Sequence, residues 1–169
     1  MIVEPYAPAD HALPGPLLTE LTGLYASNRD FHAITGDFPD PDGIRPEQVA
    51  AALADELARP GAEVLLARSE GRLIGIAATL DHHPDPDDPD PWIGLLMVDA
   101  RAHRSGHGRA LAGIVEDRFR SEGRTGVKLA VLENNPRALA FWASLGYEET
   151  DRRADLAQGR PCRVLRKGL

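Results

Sequence analysis

The chain is short of cysteine, of basic runs and of long apolar stretches. Its single cysteine, Cys162, excludes an internal disulfide and a cysteine-built metal cluster. No Lys/Arg-rich run occurs, and 19 basic against 26 acidic residues leave a net charge of −7. A nucleic-acid partner is therefore not expected, whereas a cationic small molecule is compatible with that field. No window reaches the ~18 apolar residues of a membrane span, so no membrane partner is expected. The opening residues, MIVEPYAPAD, show neither the basic nor the apolar region of a signal peptide, and a cytoplasmic location is the expectation. What is present is 169 residues, 43% hydrophobic and 27% charged, the make-up of one globular domain over 1–169.

The pattern along the chain is α/β. Ile2–Val3 reads as a short strand, which Pro5 and Pro8 confine to a sheet edge. Leu17, Leu18, Leu21, Leu24 and Tyr25 fall at helical spacing over 17–27, and 29–45 reads as a loop. Pro46 opens a helix running to about Ala58. Residues 63–68 and 73–80 form a hairpin about Glu70–Gly71. The Pro- and Asp-rich stretch 81–91, DHHPDPDDPDP, cannot be regular structure. Trp92–Val98 is a strand whose apolar run predicts burial on both faces. A helix from about Arg109 to Ser121, a strand over 125–132, a helix over 136–145 and a closing hairpin complete the chain.

The stretch between Val98 and that Arg109 helix carries the first functional signal. Gly106 and Gly108 let the backbone turn and present several N–H groups without a Cβ in the way. Those groups lie at the positive end of the helix dipole, beside Arg104 and Arg109, which makes a cradle for phosphate.

Two stretches read together carry a family pattern. The first is Asp99–Leu111 with its HRSGHG loop, residues 103–108, and the second is VLENNPRALAFWASLGY, residues 131–147. The pair resembles the GNAT superfamily of acyl-CoA-dependent N-acetyltransferases. The first stretch is similar to that family's R/Q-x-x-G-x-G/A loop. The second is similar to its N-x-x-A-x-x-F-Y-x-x-x-G-F signature, carried here by Asn135, Ala138, Phe141, Trp142, Gly146 and Tyr147. The resemblance implies a single GNAT-like domain, a mixed and mostly antiparallel sheet flanked by about four helices, with strands splayed at the cofactor site. It implies acetyl-CoA as cofactor. The pyrophosphate would lie on Arg104, Ser105, Gly106, His107, Gly108, Arg109 and Ala110, and the pantetheine arm along Leu96, Met97 and Val98. Asn135, Ala138, Phe141 and Trp142 would flank the arm. Two departures stand out. His103 replaces the family's Arg or Gln, and Trp142 replaces a Tyr often proposed to protonate the leaving thiolate. An indole N–H is too weak an acid for that role, so Tyr147 becomes the alternative acid, against its plainer role in the core.

The acyl acceptor must present a neutral amine, which calls for a base. Asp99 and Glu133, at strand ends, are candidates, although a strand-terminal Asp more often caps a turn. His82 and His83 have the right intrinsic acidity and, with nearby aspartates, the means to bind a metal; a solvated loop is the plain alternative. Asp30, His32 and Asp37 with Phe31 and Phe38 could form an anionic, aromatic acceptor site, steered by the carboxylates of 81–90. The expected reaction is acetylation of a primary amine on a small molecule. The alternatives are a non-catalytic acyl-CoA-binding domain and a protein N-terminal or lysine acetyltransferase. The family commonly forms homodimers, and CRVLR, residues 162–166, offers an edge for pairing with a second copy.

Overall fold

The computed structural model describes residues 1–7 and 13–169; Pro8 lies outside them. Seven strands form one sheet in the order β1-β2-β3-β4-β5-β7-β6. They are β1 (Ile2–Pro5), β2 (Ala62–Ser69), β3 (Arg72–Leu80), β4 (Trp92–Val98), β5 (Gly126–Leu132), β6 (Glu148–Ala154) and β7 (Pro161–Gly168). Every pairing is antiparallel except β4 with β5. The helices are α1 (Gly15–Ser27), α2 (Arg29–Thr35), α3 (Pro46–Leu57), α4 (His107–Ser121) and α5 (Pro136–Ser144).

Each sheet face buries its own apolar cluster. On one face, Leu21, Leu24 and Tyr25 of α1 and Val49 and Leu53 of α3 pack on Val64, Ile76, Ala78 and Met97. On the other, Leu111, Ala112, Val115 and Phe119 of α4 and Trp142 of α5 pack on Ile93, Val98, Val127, Leu129 and Leu165. The Glu70–Gly71 hairpin turn has positive φ at both residues, 51° and 78°, the mirror-image turn that matches strand twist.

Three expectations are corrected. Residues 29–45 are not all loop, because 29–35 coil into α2. That helix is too short to hold by itself. It is held because His32 stacks on Tyr25 at 5.6 Å and meets Phe38 edge-on at 4.8 Å, and because Gly36 closes it at φ 70°. Residues 162–166 are not an edge: β7 lies between β5 and β6. The true edge is β6, EETDRRA, whose charged, exposed side chains discourage pairing with another chain. Lastly, β4 is not buried along its whole length, since Gly94 is exposed and Leu95 and Leu96 only half-buried.

Candidate functional site

The exposed middle of β4 marks where the sheet opens. Strands β4 and β5 pair only at Trp92–Lys128 and Ile93–Leu129, after which they part. The cause is local. Ala78 pairs with Leu95 and Thr79 with Ile93, so Gly94 is an extra residue, a bulge that bends β4 away from β5. Beyond it, the Asp99 N–H donates to Ile74 on β3. Backbone groups alternate along a strand, so the N–H and C=O of Leu96 and Val98 face the β5 side, where no strand meets them. The Val98 carbonyl is taken by Asn28 Nδ2 (3.0 Å) and His103 Nε2 (2.9 Å). His103 must carry its proton on Nε2, and with it supports the loop that follows. Both Leu96 groups and the Val98 N–H remain open to an added extended chain.

The loop leads straight to the start of α4. Arg104 and Gly106 both have positive φ, 63° and 80°, and no side chain caps the helix. The Ala110 N–H bonds the Gly106 carbonyl. The N–H groups of His107, Gly108 and Arg109, ahead of the first helical bond, point outward at the positive helix end beside exposed Arg104 and Arg109. A Cβ on Gly108 would lie 3.4 Å from the Phe141 ring and 4.0 Å from Val98. The loop, the end of β4 and α5 therefore meet at Gly108. These donors and this open strand fit a diphosphate attached to a peptide-like arm.

The residues flanking the opening have distinct roles. Asn135 caps α5 by accepting from the Ala138 N–H at 3.1 Å, and Phe141 and Trp142 meet edge-on at 5.0 Å. Asp99, a candidate base, is buried and closed off. It accepts from the Arg101 backbone (2.9 Å) and from its guanidinium (2.9 and 2.6 Å), which holds its carboxyl below the usual range. It is a cap. Glu133 is half-buried with Arg152 at 3.9 Å. Tyr147, the alternative acid, is packed against Trp142 at 4.9 Å and donates to Glu116 at 3.1 Å. Burial, then the Glu116 charge, push its pKa far up, so it is no acid for a nearby sulfur.

On the acceptor side the expected residues disperse. His32 is buried, with Nε2 donating to the Tyr25 carbonyl at 3.1 Å and Nδ1 without a partner, and burial lowers its pKa. It is a neutral core histidine. Asp37 is paired with Arg160 at 3.0 Å, and Phe31 packs edge-on against His32. His82 is exposed. His83 meets Trp92 at a tilt of 33° with ring centres 4.7 Å apart, beside the Arg153 guanidinium, at the opposite end of β4 from Val98. Of the loop carboxylates, Asp88 accepts from Lys128 (2.8 Å) and Asp90 from Arg166 (2.7 Å). Among the described residues, only Asp81, Asp85 and Asp87 of that loop remain exposed and free of a cation. Among the described residues no three His, Cys, Asp or Glu side chains converge to hold a metal.

Three other residues, Glu56, Tyr25 and Arg160, carry no motif in the sequence. Glu56 of α3 lies over the bulge, its Oε2 3.8 Å from the point a Cβ on Gly94 would occupy. Tyr25 lies nearby. Burial, then the charges of Glu56 and Asp37, push its hydroxyl up. Arg160, in the β6–β7 turn, donates to Asp155 (2.5 Å), to Asp37 and to the Thr35 carbonyl, tying that turn to the end of α2. One of these was visible as a pattern, because Glu56 falls seven residues after Val49 on the apolar stripe of α3. Arg160→Ala should release the turn and raise the acceptor KM about tenfold, equivalent to about 1.4 kcal/mol, without changing the KM for the acyl donor. Steady-state kinetics would check this, and equal effects on both substrates would refute it.

Residues 28–147 match the family model described as Acetyltransferase (GNAT) family. The chain belongs to the GNAT acetyltransferase family. The acyl donor of that family is acetyl-CoA, which agrees with the open β4 edge and the uncapped α4. This GNAT chain is 39% identical over 108 residues to a mycothiol acetyltransferase from Thermomonospora curvata, a match covering 60% of the chain. It spans only 35% of that relative's length. Its fold is similar to an acetyltransferase from Thermus thermophilus, with TM-score 0.73, 17% identity, and coverage of 100% and 98% of the two chains. It is also similar to the ribosomal-protein-S18-alanine N-acetyltransferase from Escherichia coli, with TM-score 0.65, 19% identity and coverage of 99% and 94%.

Proposed function

We propose that this GNAT chain transfers an acetyl group from acetyl-CoA to a primary amine of a small molecule by direct attack on the thioester. The single observation that carries the reading is the parting of β4 from β5 directly beside the uncapped start of α4. In this reading the N–H groups of residues 104–110 hold the pyrophosphate. The open groups of Leu96 and Val98 hold the arm, and Asn135, Ala138, Phe141 and Trp142 flank it. Bound there, acetyl-CoA supplies an activated acyl group on a good leaving group. That suits a site where Trp142 has no acidic proton to give and Tyr147 is committed to Glu116. The Glu56 carboxylate beside Gly94 suits a cationic amine, and the exposed carboxylates of 81–87 add steering.

The test is release of free CoA from acetyl-CoA with putrescine, tyramine and glucosamine as probes. Turnover with any of them supports the reading. Tight binding of acetyl-CoA with turnover of none would favour the acyl-CoA-binding alternative. Turnover only with peptide amines would favour a protein acetyltransferase.

A further inference from the structure

We propose that Glu56 is the general base of the transfer, taking the proton from the acceptor ammonium at the mouth of the β4–β5 opening. The inference rests on the amine-acetylating reading above and names a residue within it. Four observations carry it. Glu56 Oε2 lies over Gly94, the bulge residue at which β4 leaves β5. Gly94 has no side chain, so nothing on the strand stands between this carboxylate and the opening. The Glu56 side chain is 24% exposed, sheltered yet reachable, and its cation is Arg59, a single contact at 3.6 Å from an exposed guanidinium. Of the other carboxylates considered for the role, Asp99 is committed to Arg101, and Glu133, which like Glu56 has one guanidinium within 4 Å, is not among the atoms within 4 Å of the Gly94 Cβ position.

The charged group in contact with Glu56 is Arg59, just after its own helix, and the Glu56 charge also acts on the Tyr25 hydroxyl of α1. Tyr25 is held in its protonated, uncharged form, so it places no negative charge against the base. The step balances simply. An N–H bond of the ammonium breaks and an O–H bond forms on Glu56. The freed lone pair makes the C–N bond while the C–S bond breaks and its electrons leave on sulfur. The second nitrogen proton passes to solvent, and Glu56 returns its own proton to solvent before the next turn.

The experiment compares wild type with Glu56→Gln on two kinds of nucleophile, putrescine, which is charged at neutral pH, and hydroxylamine, which is already uncharged there. With putrescine, kcat/KM at pH 7 should fall at least about 100-fold, the usual range for loss of a general base. The remaining activity should climb with pH as free amine accumulates in solution. With hydroxylamine the variant should keep the wild-type rate, because no proton has to be removed first. The rise in melting temperature given by acetyl-CoA should be the same in both proteins. Equal loss on both nucleophiles would mean a structural role, and no loss on either would remove Glu56 from the reaction; both overturn the proposal. Should Glu56→Gln fail to fold, Gly94→Leu, which fills the approach to Glu56, should raise the putrescine KM, and an unchanged KM would overturn it. A wild type that binds acetyl-CoA yet acetylates neither nucleophile would instead overturn the amine-acetylating reading, and the role of Glu56 with it.

Discussion

Gly108→Trp abolishes the melting-temperature rise that acetyl-CoA gives the wild-type chain. A ligand that binds only the folded state stabilises it by about 2.7 kcal/mol at a hundred times its dissociation constant. For a domain of this size that is about 5–10 °C. At position 108 a Cβ already stands 3.4 Å from two ring carbons of Phe141. An indole has two ways out, into Phe141 and the start of α5 or outward across the N–H groups of residues 107–109. Either removes the cradle. Gly108 is helical rather than left-handed, so the variant bears no backbone strain and should remain folded. Gly106→Trp makes a useful companion, because φ 80° there adds a cost of about 1–2 kcal/mol for any L side chain. An unchanged rise in Gly108→Trp would move the cofactor away from this loop.

Glu116→Ala should be the most destabilising single change outside the apolar core. Glu116 is 4% exposed in the middle of α4. One oxygen accepts from the Tyr147 hydroxyl at 3.1 Å and the other from Lys167 Nζ at 2.6 Å, with Arg120 at 3.9 Å. It thereby joins α4, the start of the final hairpin and the end of β7. Removing it leaves a buried hydroxyl without an acceptor and an ammonium without its partner. The expected cost is about 3 kcal/mol, or a fall in melting temperature of about 6–12 °C. Glu116→Gln, which keeps an acceptor for Tyr147 and loses only the charge, should fall less. Tyr147→Phe should leave acetyl transfer intact, since its hydroxyl serves the core. Thermal melts and a turnover assay decide these points. A melt unchanged by Glu116→Ala would show that the network adds nothing to stability.

The parts of the site legible in the sequence are those built from neighbours in the chain. The turn at Gly106, the start of α4, the Asn135 cap and the Pro136 opening of α5 each follow from backbone freedom, missing N–H groups or a short side chain reaching three residues on. Their order along the chain is enough to suggest the family and a phosphate cradle. The hairpin about Glu70–Gly71 and the irregular 81–91 stretch are legible for the same reason.

What the tertiary structure decided are the features that depend on residues far apart in sequence. The apolar run of β4 predicts burial on both faces. A bulge set by pairing with β3, and a partner strand that turns away, leave its middle open instead. α2 exists because Tyr25 and Phe38 enclose His32, a gain that no seven-residue stretch carries by itself. CRVLR reads as an edge until the sheet order places the more charged β6 outside it. The acceptor side follows the same rule. His32, Asp37 and Asp99 are chemically suited to catalysis, but burial and the guanidiniums of Arg160 and Arg101 commit them elsewhere. Glu56, an ordinary residue on a helix stripe, comes to lie over the opening. Local chain chemistry determined the turn and the uncapped helix start proposed to hold a phosphate; only packing across the sheet decided which carboxylate lies beside the β4 bulge.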